Sequence, residues 1–442
     1  MDTDILKRLA ANGLRVSLGK KDDTAELEFT GTADPLYTRE IIYKALNGLE
    51  PHFNVFITGI PFCFMPDAWD HILYRKKSGA SYSRFPACGK CRLKGSCPGL
   101  EKKSVFYTAL RRELAPVLPA PREVVIELTK ECNQNCRVCF TARRSGGRPL
   151  KELLGVLRQA KELGVRNVRF TGGEPFLSGH LLPLLKAAKA AGFHTLVNTN
   201  ASAADVAKFK RAAAYIDNVL VSLQGRDEKS EHAATGIPGL FSKKLKNIGA
   251  LKAGGAGTLR LGTVVSRDIL KDLPAYHRLA RRLKADIWEL YRPRLDKEAL
   301  SRNREFDLDS SDIKRLSRRI GSLGPALPRV VIANPVPLCA VPAAERKNFL
   351  GSAFDDGRTR LVYDARGFFK PSYCIEENLG PVLKKAWASP FLERLNAVRH
   401  LPGRCRACRY LLKCHGGSRF LADAGGGRAA ADPWFPGPRA KK

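Results

Sequence analysis

From residue 122 onward, short β-rich apolar runs alternate six times with helical stretches, and this alternation restricts the fold more than any other feature of the chain. Strands are expected at 123–129, 165–170, 193–198, 217–222, 258–265 and 286–291. Helices are expected at 149–163, 179–191, 203–213, 240–252, 270–283 and 310–321. Repeats of this kind with short connections imply an α/β protein with a parallel sheet. Successive right-handed crossovers would curl that sheet into a partial (β/α)6 TIM-type barrel. In such barrels the functional loops follow the C-terminal ends of the strands.

Two polar loops occupy such positions. The first, Cys132-Asn-Gln-Asn-Cys136-Arg-Val-Cys139, follows the run Val124-Val-Ile-Glu-Leu128. Three thiolates at C-x3-C-x2-C can hold three irons of a [4Fe–4S] cluster whose full ligand set is four, leaving one iron open. Two plainer readings compete. Positions 132, 136 and 139 also share a helix face, but the Asn, Gln and Arg residues between them provide no wider apolar stripe. Zinc prefers four ligands in tighter pairs. The second loop, Thr171-Gly172-Gly173-Glu174-Pro175, follows the next strand run. Glycine backbone can approach a ligand closely, and a carboxylate suits an ammonium group.

A C-x3-C-x2-C loop followed, one strand–helix–strand later, by Gly-Gly-Glu-Pro resembles the radical SAM superfamily. The resemblance implies that a cluster on Cys132, Cys136 and Cys139 binds S-adenosylmethionine at its open iron. One electron then cleaves SAM to methionine and a 5′-deoxyadenosyl radical, which abstracts hydrogen from a substrate carbon. It also implies that Gly172, Gly173, Glu174 and Pro175 face the methionine amino group. Asn198-Thr199-Asn200-Ala201 resembles a Thr-Asn-Gly segment near the SAM ribose and carboxylate. Ser222-Leu-Gln224-Gly225 resembles a Ser-x-Asp-Gly element with Gln in the Asp position. Ser266 and Arg267 end the fifth strand, and Tyr291-Arg292 the sixth, near where the family contacts adenine or substrate. One departure is Val138, where the family often has an aromatic residue; here Phe140 comes two positions later.

The twelve cysteines fall in three groups. Cys339, Cys374, Cys405, Cys408 and Cys414 lie in a segment, 335–424, that resembles the SPASM or twitch extension of the same superfamily. The residues carrying this likeness include Gly367, Pro390-Phe-Leu-Glu-Arg-Leu and Cys405-x2-Cys408-x5-Cys414. A further cysteine of the full pattern is replaced by Ser418. One auxiliary [4Fe–4S] cluster is therefore expected there, on Cys405, Cys408 and Cys414 with Cys374 or Cys339 as the fourth ligand; structural zinc is the alternative. Cys88-x2-Cys91-x5-Cys97 repeats the spacing near the N-terminus, with Cys63 upstream as a fourth ligand. A second auxiliary [4Fe–4S] cluster is expected on this set, with zinc as its rival, so that two extensions flank the barrel.

The expected domains are an N-terminal α/β domain (1–120), the radical SAM core (121–325), the SPASM/twitch-like domain (326–424) and a disordered basic tail (425–442). Within the first, residues 15–30 read as two strands around the turn at 20–23. Helices are expected at 37–49 and 104–114, a strand at 53–58 and a Pro-rich linker at 116–121.

No run of about 18 apolar residues occurs, so no membrane span is expected. The N-terminus lacks the basic-then-apolar order of a secretion signal, so a cytoplasmic location is expected. There, grouped cysteines argue for metal sites over disulfides. The formal charge of +33 is scattered along the chain. It suits a solvated surface or an anionic partner; no aromatic-interleaved basic stripe favours nucleic acid. The resemblance implies a peptide or protein substrate, with a cofactor or tetrapyrrole precursor as the small-molecule alternative. It also implies a one-electron donor such as flavodoxin or ferredoxin. A non-catalytic Fe–S carrier or a zinc-stabilised nucleic-acid-binding protein is the reading from another class, and the Gly172-Gly-Glu-Pro loop argues against it.

Overall fold

The computed structural model describes residues 7, 9–11, 13–18, 24–30, 35–49, 53–73, 81–95, 97–110, 114–139, 146–295, 297–324, 327–351, 357–396, 401–426 and 430–436. The turn at 20–23, residues 111–113, Phe140 and residues 437–442 lie outside these. The chain forms two compact units. One comprises 1–119, 341–347 and 393–415; the other comprises 120–340, 348–392 and 416–442.

In the first unit, β1 (Leu14–Leu18) pairs antiparallel with β2 (Thr24–Phe29). β2 pairs parallel with β3 (Asn54–Thr58), and the helix Pro35–Leu49 makes the crossover that a parallel pair requires. Short strands β4 (Tyr82–Ser83) and β5 (Leu100–Glu101) pair antiparallel and bracket the cysteines at 88–97. A helix follows at Val105–Leu110. Residues from the far end of the chain complete this unit. The Tyr410 ring meets Phe56 of β3 edge-on at 5.1 Å, and the Arg409 guanidinium lies over the same ring at 4.3 Å. Arg409 also pairs with Glu26 at 3.2 Å.

The second unit is built on seven parallel strands in chain order: β6 (Glu123–Glu127), β7 (Asn167–Thr171), β8 (His194–Thr199), β9 (Asn218–Ser222), β10 (Thr258–Val264), β11 (Ile287–Tyr291) and β12 (Arg329–Ile332). β13 (Arg360–Tyr363) adds parallel to the outer side of β6, and β14 (Phe369–Lys370) adds antiparallel to β13. The sheet ends at β12 and β14, which do not pair with each other, so the barrel is partial. All six expected strands are present, and β12 and β13 extend the sheet at both sides. All five residues of β6 are buried, as a strand covered on both faces requires.

The helices follow the apolar periodicity; Leu153, Val156, Leu157 and Ala160 form the buried face of Leu150–Glu162. The expected helix at 270–283 is broken at Asp272 into Arg267–Lys271 and Leu273–Arg282. Pro274 in the first turn of the second piece has no N–H to continue the first. An unexpected helix, Glu228–Thr235, starts at an Asp227 capping box with Ser230 and ends on Gly236 at φ +72°.

A buried polar belt crosses the sheet. The Arg169 guanidinium (β7) donates to both Glu123 carboxylate oxygens (β6) at 3.0 and 2.7 Å and to Asn198 (β8) at 2.8 Å. Arg360 (β13) reaches Glu123 from the other side at 3.3 Å. Arg260 (β10) bridges Asn218 (β9) and Glu289 (β11). Burial alone would raise the Glu123 carboxyl, but the Arg169 and Arg360 guanidiniums overcome it and hold the group down at about 2.

The tail differs from the expectation of disorder over residues 430–436. Asp432 and Trp434 are buried there. Asp432 pairs with the buried Arg292 guanidinium at 2.8 Å, and the Trp434 ring lies 3.5 Å from that guanidinium. An aromatic residue and an acid inside a Gly/Pro-rich stretch were the local signals of this docking. Among the described residues no helix is long and apolar enough to cross a membrane.

Candidate functional site

Because β6 to β12 are parallel, the loops after them gather along one edge of the sheet, and the cysteine loop is fastened there to three neighbours. The first is the loop after β7. Gly173 N donates to Thr129 O at 2.7 Å and Glu174 N donates to Glu131 O at 2.8 Å. Both glycines are required by this approach. Gly172 has φ +146° and a Cβ there would lie 2.3 Å from Thr129 O; a Cβ on Gly173 would lie 2.0 Å from Glu131 O. Pro175 then opens a short 3-10 turn, Pro175–Leu177.

The second neighbour is the loop after β8. The Glu174 carboxylate is 0% exposed. It accepts from Phe176 N at 3.0 Å, Thr199 Oγ1 at 2.7 Å and Asn200 N at 2.6 Å. Burial raises its pKa, and these hydrogen bonds oppose the rise. Asn200 Nδ2 donates to Asn133 Oδ1 at 2.8 Å and sits 3.6 Å from Cys132 Sγ. Ser202 Oγ donates to Asn200 Oδ1 at 2.8 Å and accepts from Asn133 Nδ2 at 3.0 Å and Gln134 Nε2 at 2.9 Å. Gln134 Oε1 in turn accepts from Cys136 Sγ at 3.3 Å.

The third neighbour is the helix Glu228–Thr235. Asn135 N donates to Thr235 O at 2.8 Å and Arg137 N to Ala234 O at 3.2 Å. That helix contributes Glu231, which forms an ion pair with Lys244, both side chains being 0% exposed. Lys244 Nζ also donates to Ser222 O at 2.9 Å. The other Glu231 oxygen accepts from Gln224 N and Gly225 N. Burial pushes the Cys136 thiol up to about 12, against the pull of the nearby Lys244 ammonium. Burial also raises Cys132. Cys139 is exposed.

The structure therefore joins Cys132 and Cys136 to Gly172, Gly173, Glu174, Thr199 and Asn200. The remaining candidates have structural attachments of their own. Gln224 ties β9 to β10, its Oε1 accepting from Val264 N at 2.9 Å. Ser266 caps the helix Arg267–Lys271. Arg267 donates to Asp307 O at 2.7 Å. Sequence reasoning missed Asn133, Gln134, Ser202, Glu231 and Lys244. A signal for Lys244 existed: it sits with Asn247 on the apolar stripe of Leu240–Ala253, where an unpaired lysine would be costly.

In the first unit, Cys63, Cys88, Cys91 and Cys97 line one cavity. Burial pushes the Cys63 thiol up to about 12, and the other three thiolates add to the rise. Cys405 and Cys414 are buried and Cys408 is exposed in that same unit; Cys339 and Cys374 belong to the second. Cys374 Sγ accepts from Arg294 at 3.4 Å. Among the described residues no three Cys, His, Asp or Glu side chains already enclose a single metal ion. Cluster thiolates bind different irons and need not converge on one point.

Residues 126–273 match the Radical SAM superfamily. The AdoMet-dependent heme synthase of Nitratidesulfovibrio vulgaris is 25% identical over 185 residues, which cover 41% of this chain and 50% of that protein. The PqqA peptide cyclase of Gluconobacter oxydans is 26% identical over 332 residues, 72% of this chain and 91% of the cyclase. Among solved structures, Streptococcus suis SuiB bound to its precursor peptide SuiA superposes with a TM-score of 0.58 at 20% identity, covering 71% of this chain and 75% of SuiB. The partial barrel and its cysteine-bearing first loop carry a radical SAM superfamily domain, which spans residues 126–273.

Proposed function

We propose that this chain is a radical SAM enzyme that modifies a peptide or protein. Cys132, Cys136 and Cys139 would hold a [4Fe–4S] cluster, and SAM would take its open position. When bound, that cluster supplies the electron that cleaves SAM to a 5′-deoxyadenosyl radical for hydrogen abstraction. The chain's own residues provide the frame. Glu174 is consumed by internal hydrogen bonds, so it fixes the loops after β7 and β8 in register, leaving backbone at Gly172 and Gly173 for the methionine end of SAM. Asn200 stands between that frame and Cys132. The buried Glu231–Lys244 pair sets the helix to which Asn135 and Arg137 attach.

The observation that carries this reading is the hydrogen-bonded union of the cysteine loop with the loops after β7 and β8, inside the matched domain. For the substrate class, coverage supports a peptide. The peptide cyclase aligns over 91% of its length, whereas the heme synthase, which supports a tetrapyrrole substrate, aligns over half. Cys405, Cys408 and Cys414 would hold one auxiliary [4Fe–4S] cluster and the N-terminal cysteines another. A cytoplasmic flavodoxin or ferredoxin would supply electrons.

The test is anaerobic reconstitution followed by incubation with dithionite and SAM. Wild-type protein should release 5′-deoxyadenosine, and Cys132→Ala/Cys136→Ala/Cys139→Ala should release none. Absence of SAM binding by reconstituted wild type would sink the proposal. Candidate peptides encoded beside the gene, set against porphyrin precursors, would then separate the two substrate classes by which one raises 5′-deoxyadenosine turnover.

A further inference from the structure

Between β11 and the helix Ser310–Ser322 the chain makes an excursion that leaves the sheet at Arg292 and comes back at Leu308. It carries the helix Lys297–Arg302 and the 3-10 turn Arg304–Phe306. The tail holds both ends of it. Arg292 Nη1 donates to the two Asp432 carboxylate oxygens at 3.0 and 2.8 Å. Trp434 Nε1 donates to Leu308 O at 2.8 Å. Asp432 is anchored in turn, accepting from Ser418 N at 2.7 Å and Trp434 N at 2.9 Å. Two tail residues thus clip the base of one loop.

The far part of the loop is attached elsewhere. Glu305 pairs with Arg137 at 3.0 Å, and Arg137 lies in the cysteine loop between Cys136 and Cys139. On the return limb Arg267, just after β10, donates to Asp307 O at 2.7 Å. In the sheet, β7 to β10 separate β6 from β11. The Arg137–Glu305 pair joins the loops that follow those two strands, so it crosses the end of the partial barrel.

The two attachments differ in kind. The Arg292 and Asp432 side chains are 4% and 0% exposed, so parting them would leave a buried charge alone. The Arg137 and Glu305 side chains are 55% and 29% exposed. A pair this wet shifts an opening equilibrium by only about two- to five-fold. A base that holds and a tip that lets go are the parts of a lid.

We propose that residues 297–307 form a lid across the cysteine-loop end of the barrel. Its base is clipped by Asp432 and Trp434, and its latch is the Arg137–Glu305 pair. Closed, the lid keeps water from the space beside the cysteine loop; open, it admits the substrate. Arg137 and Glu305 are positioning residues that touch no reacting atom. For what the lid covers, the inference rests on the SAM site proposed above; for its motion it does not.

The test is hydrogen exchange on full-length reconstituted protein, comparing Glu305→Gln with wild type. Amides in 297–307 should exchange about two- to five-fold faster in the variant, with β11 and Ser310–Ser322 unchanged. Added salt should reproduce this acceleration in wild type and add nothing in the variant. The reversed pair Arg137→Glu/Glu305→Arg should restore slow exchange. Equal exchange in variant and wild type, or no restoration by the reversed pair, would overturn the latch. Faster exchange spreading through β11 would mark a merely structural contact and overturn the lid. Release of bound SAM after dilution should quicken by the same factor in Glu305→Gln, and unchanged release would overturn the lid's place over the site. If wild type binds no SAM, the radical SAM reading falls, while the exchange result still decides the latch.

Discussion

The cysteine loop of the barrel and the cysteine set of the first unit solve different problems. Cys132 and Cys136 are positioned from afar: Asn200, Ser202, Thr235 and the glycines at 172 and 173 all reach the loop across long stretches of sequence. Cys88, Cys91 and Cys97 are held mainly by their own neighbourhood, through Arg84, Phe85 and Gly99. The difference teaches what each arrangement is for. On the proposed function, a three-thiol loop that leaves one ligand position for another molecule would need its register set by the walls of the site. A four-thiol set would be complete in itself: three of its cysteines come from one short loop, and Cys63 joins them from the segment after β3.

The comparison can be broken most sharply at the buried ion pair. Lys244→Met leaves Glu231 charged and unpaired in the core and should cost about 3–5 kcal/mol, read as a fall in denaturation midpoint. The double variant Lys244→Met/Glu231→Gln should recover part of that loss. If the single variant unfolds at the wild-type midpoint, the claim that this pair anchors the loop fails.

Gly173→Ala comes next. Its Cβ would meet backbone atoms of Lys130 and Glu131, which cannot move away as a side chain can. The overpacking should cost about 1–3 kcal/mol. Displacing the loop should cut SAM cleavage by about 100-fold. Gly89→Ala, where nothing lies within 4 Å, should leave iron content and stability unchanged.

Ser202→Ala removes one hydroxyl and should destabilise by about 1 kcal/mol. Its iron loss on mild chelation should come from the barrel site. Arg84→Ala should loosen iron only in the first unit. Loss from the opposite site in either variant would contradict the contrast between remote and local support.

The last test reads a change with pH. The Glu123 carboxyl is depressed to about 2 in the folded protein. Its stabilising contribution is therefore fully present above the ordinary carboxylate range and is lost as pH falls from about 4.5 toward about 2. The advantage of wild type over Glu123→Gln in urea unfolding should shrink across that window and be flat from pH 5 to 7. A constant difference down to pH 2 would remove the pairing with Arg169 and Arg360 as its cause.

The sequence by itself determined the elements whose information is local. Alternating strand and helix periods located β6 to β11 within a residue or two, and cysteine spacing marked the loops, because period and spacing are properties of contiguous residues. It also placed Gly172 and Gly173 at a strand end, although only the structure shows that the reason is contact with Thr129 and Glu131. What tertiary structure decided is every partnership made by chain return. β13 lies beside β6, and residues 393–415 join β3 of the first unit. Asp432 and Trp434 cover Arg292 in a tail whose composition argued for disorder. Gln224 bonds to β10, and Lys244 is neutralised by Glu231. None of these has a sequence period, since each depends on two distant segments whose burial is favourable only once the fold has brought them together.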